Sequence, residues 1–360
     1  MYYLILLLTG IFWLNFTEKI KASHFLVQLV IWLPVVILYA IPLYLQEDIG
    51  TDYHTYYNYF FNDDYLLYFR KGELIFYYIV LLTRYLGHPQ ILFVIIGTIQ
   101  LLLFFYTLHL LKKRGYKSWL LFFLFVVVTT IYNNQMNGLR QFVVVNGMLL
   151  FAIFLSERRF FKSFILSVLG LLFHKTSFIA TGFIFILKKY LPYSGRKIFF
   201  IFIISSFLFS VNYLDSIEAL FSNSYWSSYL HYLNSESESV FKLDIASIIG
   251  KLYFVPILLY FYFVVFKSKK KLSDFEILSS KVVACTYFLF LQAGYFHIFL
   301  RLWQYFNIFM IIPIYLVINW AIQKKQFNLV FFLLLYLSLP YLYKIIFVAE
   351  REYSFNLIFF

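Results

Sequence analysis

Charged residues are scarce in this chain, and their scarcity excludes an ordinary soluble protein. Asp, Glu, Lys and Arg make up 13% of its 360 residues, whereas hydrophobic residues make up 62%. Globular proteins average roughly 25% charged and 45–50% apolar residues, so a soluble domain of this length could not bury so much apolar surface. Apolar runs approaching the about 20 residues that cross a bilayer recur along the chain. We therefore predict an all-α integral membrane protein with many transmembrane helices.

The motifs of several enzyme classes are also missing. The sequence has no Gly-rich phosphate loop, no His/Cys spacing typical of metal ligands and no nucleotide-binding strand–helix unit. We therefore predict no cofactor and no metal. The single cysteine, Cys285, lies in an apolar run, which indicates a small core residue, and one cysteine cannot form an internal disulfide.

Basic residues exceed acidic ones and give a net charge of +13, but their distribution does not indicate nucleic-acid binding. They form short clusters between apolar runs, as in the cytoplasmic loops of membrane proteins. Placing the main clusters on one side assigns to it 20 of the 30 Lys and Arg residues. These clusters lie at 19–21, 112–117, 158–162, 188–197, 267–281 and 324–325. The bias predicts that the opposite side, with most of the acidic residues, faces away from the cytoplasm.

One of the thirteen apolar runs breaks this alternation. The run at 74–86 lies between an acidic loop and a full-length run, so we interpret it as a re-entrant or interfacial helix. That interpretation leaves about 12 transmembrane helices in a single domain of residues 1–360, with both termini outside. The alternative is an unequal number of spans with one misplaced basic cluster.

Two long connections are predicted outside, at 46–73 and 215–244. Loops of this length are often functional or disordered, and their aromatic content argues against disorder. The second loop has aromatic residues at helical spacing, namely Tyr225, Trp226, Tyr229 and Tyr232. They favour an amphipathic helix on the membrane surface, and a sugar-stacking platform is the alternative.

Three ionisable residues lie at the outward ends of predicted helices. Arg140 begins a span, His174 lies in the tight turn between two short spans, and Arg301 lies between two spans. Charged groups at membrane depth are costly and usually face a cavity or a partner. The alternatives are arginine side chains that reach the headgroups and a histidine that is hydrogen-bonded inside the bundle.

Three short motifs occur in order in the first half of the chain. They are Gly50-Thr51-Asp52-Tyr53 followed by Tyr56 and Glu73, then Asn137-Gly138-Leu139-Arg140-Gln141, then Phe173-His174-Lys175-Thr176-Ser177. In this order and spacing they resemble the EpsG family of Wzy-like polysaccharide polymerases, which serve O-antigen, capsule or exopolysaccharide synthesis. The resemblance covers residues 46–177, and beyond it only the hydropathy and Arg301 with Tyr305 and Phe306 agree.

The resemblance implies a membrane glycosyltransferase on a scaffold similar to that of GT-C-like enzymes. Such a polymerase joins undecaprenyl-pyrophosphate-linked oligosaccharide repeat units at the outer face of the bacterial inner membrane, with the lipid pyrophosphate as leaving group. The implied partners are the carrier-linked oligosaccharide, membrane lipid, a chain-length regulator and a flippase. No nucleic-acid partner is expected.

The chemistry of the motif residues fits this reaction. Arginine binds phosphate oxygens in a bidentate manner and stays charged at membrane depth, so we expect Arg140 and Arg301 to bind the pyrophosphate. The acceptor hydroxyl needs a proton acceptor, for which His174, Asp52 and Glu73 are the candidates. Supporting roles are expected for neighbouring motif residues, namely Tyr53, Tyr56, Asn137, Gln141 and Lys175.

Three other functions stay open at this stage. A sugar-lipid ligase would use the same donor with another acceptor, and a membrane O-acyltransferase could use an intramembrane histidine such as His174. A flippase or other transporter could bind pyrophosphate through Arg140 and Arg301. The sequence shows no pair of broken helices in matching halves, which is the mark of many transporters.

Overall fold

All regular elements that the structure describes are helices, which confirms the predicted all-α class. The computed structural model describes residues 1–20, 22–192, 194–207, 245–265, 272–293, 297–350 and 353–356. Within these residues the α-helices α1 to α19 are, in chain order, Tyr2–Phe16, Phe25–Ile31, Leu33–Leu45, Tyr53–Asn58, Leu66–Lys71, Leu74–Tyr85, Gln90–Lys113, Ser118–Phe123, Ile131–Asn134, Leu139–Ser156, Phe160–Phe173, Ser177–Tyr190, Gly195–Phe207, Ile245–Leu252, Val255–Tyr260, Asp274–Gln292, His297–Asn307, Ile311–Gln323 and Phe327–Tyr343. Short π or 3-10 turns follow four of them, at Leu124–Val128, Phe261–Val265, Ile308–Met310 and Lys344–Val348.

The helices fall into two compact units. The first comprises Met1–Phe183 and Ile318–Phe360, and the second comprises Ile184–Val317. In the first unit α10 packs against α7 and α11, and α6 packs against α11. In the second unit α16 packs against α13 and α17. The organisation as a single transmembrane domain stays a prediction.

Several helices have the length and composition of membrane spans. Among the described residues four are long and apolar enough to cross a membrane, namely Gln90–Lys113, Leu139–Ser156, Phe299–Gln323 and Phe327–Val348. The number is five if α2 and α3, which meet at an angle of 86°, form one bent span. Shorter apolar helices such as α1, α6 and α11 accompany them. The helices fit a membrane protein, whereas the count of about 12 spans stays a prediction.

The bend between α2 and α3 interrupts the apolar run 25–45, which the hydropathy predicts as one helix. It lies at Trp32, and Pro34 occupies the first turn of α3. Proline has no backbone N–H and clashes with a preceding helical turn, so it suits the start of a helix better than its interior. The side chain of Trp32 is fully buried and packs against Phe105 of α7, which holds the bend in place.

The apolar run 119–132 also breaks before the start of α10. Buried amide side chains support the irregular segment that follows it. Gln135 Nε2 donates to the Tyr39 hydroxyl oxygen at 2.9 Å. Gln100 Nε2 donates to the carbonyl oxygen of Leu139 at 3.1 Å. Irregular backbone at membrane depth needs internal partners of this kind, and here they position the chain that leads into α10.

At the C-terminal end of α7, three of the predicted basic loops meet. Lys112 Nζ donates to the carbonyl oxygens of Thr17 (3.1 Å) and Ile20 (2.9 Å) in the loop after α1. Arg114 forms an ion pair with Glu157 in the loop after α10. The loops that the charge pattern assigns to the cytoplasmic side therefore lie together in this unit.

The N-terminal end of α7 meets the long connection 46–73. Gln90, the first residue of α7, donates through Nε2 to the carbonyl oxygens of Tyr44 (2.6 Å) and Gln46 (3.2 Å). With 24 residues α7 is about 36 Å long, so it separates this connection from the basic loops. The connection 46–73 and the basic loops therefore lie at opposite ends of α7, as the charge pattern predicts. Which of the two ends faces the cytoplasm stays a prediction.

The basic connection predicted at 267–281 is shorter than the hydropathy indicates. The sequence pattern places Lys281 between two apolar runs, but α16 begins at Asp274, where Ser273 and Glu276 form a capping box. Lys281 is buried within this helix, and its Nζ donates to a backbone carbonyl oxygen. A capping box stabilises a helix start ahead of the apolar residues, so hydropathy alone placed the boundary too late.

The charge-based topology makes a labelling prediction. Thr55 is exposed in the connection 46–73. Ser23 is exposed in the loop after α1, where its carbonyl oxygen accepts a hydrogen bond from Lys113. In a Cys285→Ser background, Thr55→Cys should react with an impermeant thiol reagent added to intact cells, whereas Ser23→Cys should not. Both should react after permeabilisation, which controls for access. The reverse pattern in intact cells would reject the predicted orientation.

Candidate active site

Glu73 lies at the centre of a cluster that joins three distant segments. It directly precedes α6, and only 3% of its side chain is exposed. Its Oε1 accepts hydrogen bonds from His174 Nδ1 (3.0 Å) and from the backbone N–H of Lys175 (3.0 Å). Its Oε2 accepts from Arg140 Nη1. The three motifs of the sequence therefore meet at one buried carboxylate.

Helix packing explains why these segments meet. The helices α6 and α10 both pack against α11, and Arg140 lies in the first turn of α10. His174 ends α11 with an extended backbone, so the chain turns there towards α12. This turn presents the His174 ring and the backbone N–H of Lys175 to Glu73, as the sequence predicted for a turn between two short helices.

The donors around Glu73 decide its protonation state. Burial alone would raise the pKa of the carboxyl, but the hydrogen bond from His174, the charge of Arg140 and the N–H of Lys175 outweigh burial and lower the pKa to about 2. Glu73 is therefore ionised at neutral pH and is a weak proton acceptor. Among the three candidate bases, this environment disfavours Glu73 and favours a role in holding His174.

Aromatic side chains enclose the guanidinium of Arg140. Its Cζ lies 4.1 Å from the ring centroid of Tyr68 and 5.3 Å from that of Phe76, which is within cation–π range. Tyr56 shares a side-chain hydrogen bond with Arg140, and burial raises the pKa of the Tyr56 hydroxyl to about 12. Arg140 Nε is buried and has no hydrogen-bond partner among the described residues. One N–H of the guanidinium thus keeps its capacity to bind an acceptor.

A single turn places Tyr68 and Glu73 beside Arg140. The helix α5 ends at Gly72, which has a left-handed conformation (φ +77°). The backbone N–H of Glu73 then donates to the carbonyl oxygen of Tyr68 at 2.9 Å. Glycine adopts this conformation without the steric cost of a Cβ. The Tyr68 hydroxyl is in turn held by the Tyr59 hydroxyl at 2.5 Å.

Asn137 links the first motif to the second. Its Oδ1 accepts from the backbone N–H of Asp52 (2.9 Å) and from Thr51 Oγ1 (3.2 Å). Gly50 precedes them in a left-handed conformation (φ +82°), and a Cβ there would lie 2.8 Å from Asn137 Oδ1. Only glycine allows this close approach. The link ties the connection 46–73 to the start of α10.

The remaining first-unit residues of the predicted site have different positions. Asp52 is exposed and is held through its backbone N–H rather than placed against Glu73. Tyr53 is buried and stacks on Phe93 of α7 at 5.1 Å, so it packs α4 against α7. Gln141 is half-buried beside Arg140 in α10. Lys175 contributes its backbone N–H to Glu73, a contact that its side-chain charge did not predict.

Two further parts of the predicted site stay predictions. Arg301 is exposed near the start of α17 in the second unit. It lies within the continuous helical stretch Phe299–Gln323 rather than between two spans, because one arginine lowers the local hydropathy without ending the helix. Its pairing with Arg140 stays a prediction. The loop 215–244 and its aromatic residues lie outside the described residues.

Sequence reasoning missed the aromatic residues around Arg140. Tyr68 and Phe76 form this enclosure and Tyr59 holds Tyr68, but Phe and Tyr are so frequent in the chain that no single aromatic stands out. The one local signal is the spacing of Tyr56 with Tyr59 and of Tyr65 with Tyr68, which places aromatic pairs on one helical face.

The cluster can act as a histidine held by a buried carboxylate. An ionised carboxylate only accepts hydrogen bonds, so a neutral His174 ring donates from Nδ1 and carries its lone pair at Nε2. When such a ring takes up a proton, the carboxylate stabilises the imidazolium. The side chains of His174 and Arg140 are 21% and 17% exposed, whereas that of Glu73 is 3% exposed.

Known proteins offer one clear likeness to the chain. The family model described as the EpsG family matches residues 29–358, which include all three motifs and extend far into the C-terminal half. No curated protein and no solved structure is detectably similar to the chain.

The close approach at Gly50 predicts a large effect of a small side chain. Gly50→Ala combines the cost of a left-handed alanine, about 1–2 kcal/mol, with a clash against Asn137. Gly87→Ala is the matched control, because Gly87 has the same φ of +82° and no atom lies within 4 Å of the position that its Cβ would take. Gly50→Ala should lower the Tm in detergent more than Gly87→Ala does. Equal losses of Tm in the two variants would show that stability does not depend on the close approach of Gly50 to Asn137.

The low pKa of Glu73 predicts a pH window for its contribution to stability. A carboxyl with a lowered pKa in the folded state stabilises the protein above its ordinary pKa, and this stabilisation is lost as the pH falls through the folded pKa. The Tm difference between wild type and Glu73→Gln should not shrink from about pH 7 to about pH 5, and it should shrink below about pH 4. Glu47→Gln, at an exposed carboxylate of the same connection, is the control. If the Tm difference between wild type and Glu73→Gln vanishes above pH 5, the ion pair of Glu73 with Arg140 is contradicted.

Proposed function

The chain belongs to the EpsG family, and on this premise we propose that it joins undecaprenyl-pyrophosphate-linked oligosaccharide repeat units at the outer face of the bacterial inner membrane. Family membership and the apolar helices imply a membrane protein with a polysaccharide polymerase-like role. Beyond this role, we propose three things: the lipid-pyrophosphate donor, the side of the membrane and the roles of individual residues.

The observation that carries the proposal is the meeting of Glu73, Arg140 and His174. It combines a proton acceptor with a guanidinium within one small site, as glycosyl transfer from a diphosphate donor requires. The site lies at the end of α7 opposite the basic loops. Nucleotide sugars are made in the cytoplasm, so an outward site needs a donor that arrives through the lipid.

In the proposed reaction His174 is the general base. Its Nε2 takes the proton of the acceptor hydroxyl while the hydroxyl oxygen forms a bond to the anomeric carbon of the donor sugar. The bond between that carbon and the pyrophosphate oxygen breaks, and the lipid pyrophosphate leaves with the electron pair. Glu73 orients the ring through Nδ1 and stabilises the imidazolium, as the carboxylate does in a catalytic triad.

Arg140 has two tasks in this proposal. Through Nη1 it holds Glu73, and the exposed 17% of its side chain offers a hydrogen bond to the leaving pyrophosphate. A positive group preorganised near a developing anion stabilises the transition state more than the ground state. The aromatic enclosure supports this role, because it fixes the guanidinium before substrate arrives. Arg301 is retained as a second proposed pyrophosphate ligand.

Polymerisation can be tested with one assay. Purified protein is incubated with a carrier-linked repeat unit, and the products are separated on a gel. A ladder of lengths supports a polymerase, whereas a flippase leaves the length unchanged. A ligase transfers once to another acceptor, and an O-acyltransferase adds no repeat units. A single product band from active protein would overturn the proposal.

The base assignment predicts the effect of one substitution. His174→Ala should lower the rate of ladder formation at least about a hundredfold, the low end of general acid–base catalysis. His54→Ala is the matched control, because His54 also pairs with a carboxylate, Asp48, at 2.9 Å but is exposed; its rate should stay near wild type. Membrane abundance and Tm are measured for each variant.

Asp52 is the alternative general base, and a separate variant tests it. Asp52→Asn removes the proton-accepting carboxylate but leaves the backbone N–H that Asn137 binds. We expect this variant to keep most of its activity. If Asp52→Asn is inactive while a folded His174→Ala still polymerises, the base is Asp52 and the histidine has a structural role.

A further inference from the structure

We propose that Lys71 is a further diphosphate-binding residue, which acts together with Arg140 across the ring of Tyr68. Neither the motifs nor the family resemblance points to this lysine. The inference rests on the proposed function for the identity of the natural donor. The binding position itself would accept any diphosphate anion of suitable size.

Arg140 alone supplies too little net charge for such an anion. Its Nη1 is bound to the carboxylate of Glu73, so the buried pair is nearly neutral. The carboxylate also repels an anion that approaches Arg140. A cation outside this pair adds the missing charge if it lies close enough for one diphosphate to contact both.

Lys71 meets the distance requirement. Its Nζ lies 6.0 Å from the ring centroid of Tyr68, and Arg140 Cζ lies 4.1 Å from the same centroid. Both charges are therefore within cation–π range of one ring and at most about 10 Å apart. A diphosphate with a charge-assisted hydrogen bond at each end spans such a gap. On the Arg140 side the side chain is 17% exposed, so the bond can form there.

The turn at Gly72 fixes Lys71 relative to the site. Lys71 is the last residue of α5, and the backbone bond from Glu73 to Tyr68 closes the turn around it. One turn thus carries the shared ring, the second cation and the buried carboxylate. Lys71 is exposed while Tyr68 and Glu73 are buried, so it lies on the solvent side of the cluster.

Lys71 also lacks a competing acid. Two acidic residues of the connection have other partners, since Asp63 binds Arg84 at 2.8 Å and Asp48 binds His54 at 2.9 Å. Lys71 forms no ion pair with any residue in the described part of the chain. A hydrated ammonium on a flexible stem suits an anion that has to enter and leave in every cycle.

The experiment measures binding of inorganic pyrophosphate to the detergent-purified full chain by calorimetry. Lys71→Gln should weaken binding at least about fivefold, because it removes a charge-assisted contact. Arg70→Gln is the matched control: it removes the same charge from the adjacent exposed position, which has no contact with the Tyr68 ring. It should weaken binding less than about twofold. Lys71→Arg should bind nearly as well as wild type.

One further variant separates a bound anion from general attraction. Tyr68→Leu removes the shared ring and should weaken binding to the level of Lys71→Gln. If Lys71→Gln and Arg70→Gln weaken binding equally, the effect is general charge attraction and the proposal is wrong. Unchanged binding by a folded Lys71→Gln would overturn it as well.

The ladder assay distinguishes failure of this inference from failure of the proposed function. If wild type makes a ladder, Lys71→Gln should raise KM for the carrier-linked unit at least about fivefold and change kcat less, because the contact exists before the transition state. A ladder with unchanged KM overturns the role of Lys71 alone. Pyrophosphate binding that depends on Lys71, without any ladder from wild type, keeps the site and rejects the polymerase.

Discussion

The buried carboxylate of Glu73 is the constraint on which the rest of the site depends. An ionised carboxylate is costly to bury unless charged or polar donors surround it. Here the donors come from Arg140, His174 and Lys175, which belong to two other segments of the chain. The helices that carry them have to converge, and the turn at Gly72 has to aim the carboxylate at them. The cost of burying the Glu73 carboxylate without its donors thereby specifies the relative positions of the three motifs.

The surrounding scaffold protects this arrangement with polar contacts inside an apolar bundle. The chain before α10 is irregular. Gln100 Nε2 donates to the backbone carbonyl oxygens of Gln135 and Leu139, and the Gln135 side chain donates to the Tyr39 hydroxyl oxygen. Asn137 then fastens the connection 46–73 to the start of α10. Because unsatisfied polar groups are expensive at membrane depth, each of these contacts restricts the ways in which the site can be built.

The charge balance of the cluster has a consequence for substrate binding. Glu73 makes His174 and Arg140 well oriented, but it also cancels the charge with which Arg140 would attract a diphosphate. Orientation and attraction therefore cannot both come from the same guanidinium. In the proposal, the exposed Lys71 on the same aromatic ring resolves this conflict, because it adds positive charge without disturbing the buried pair.

The sequence by itself determined the all-helical class, a composition that fits a membrane protein, the order of the motifs and the family, because hydropathy and short motifs are properties of neighbouring residues. It also indicated that His174 lies in a turn between helices. Only the tertiary structure decided that Glu73 binds both His174 and Arg140, that Tyr68 and Phe76 enclose the guanidinium, and that Tyr53 is a packing residue. These facts depend on which helices pack together, and contacts between segments about 70–100 residues apart leave no periodic signal in the sequence.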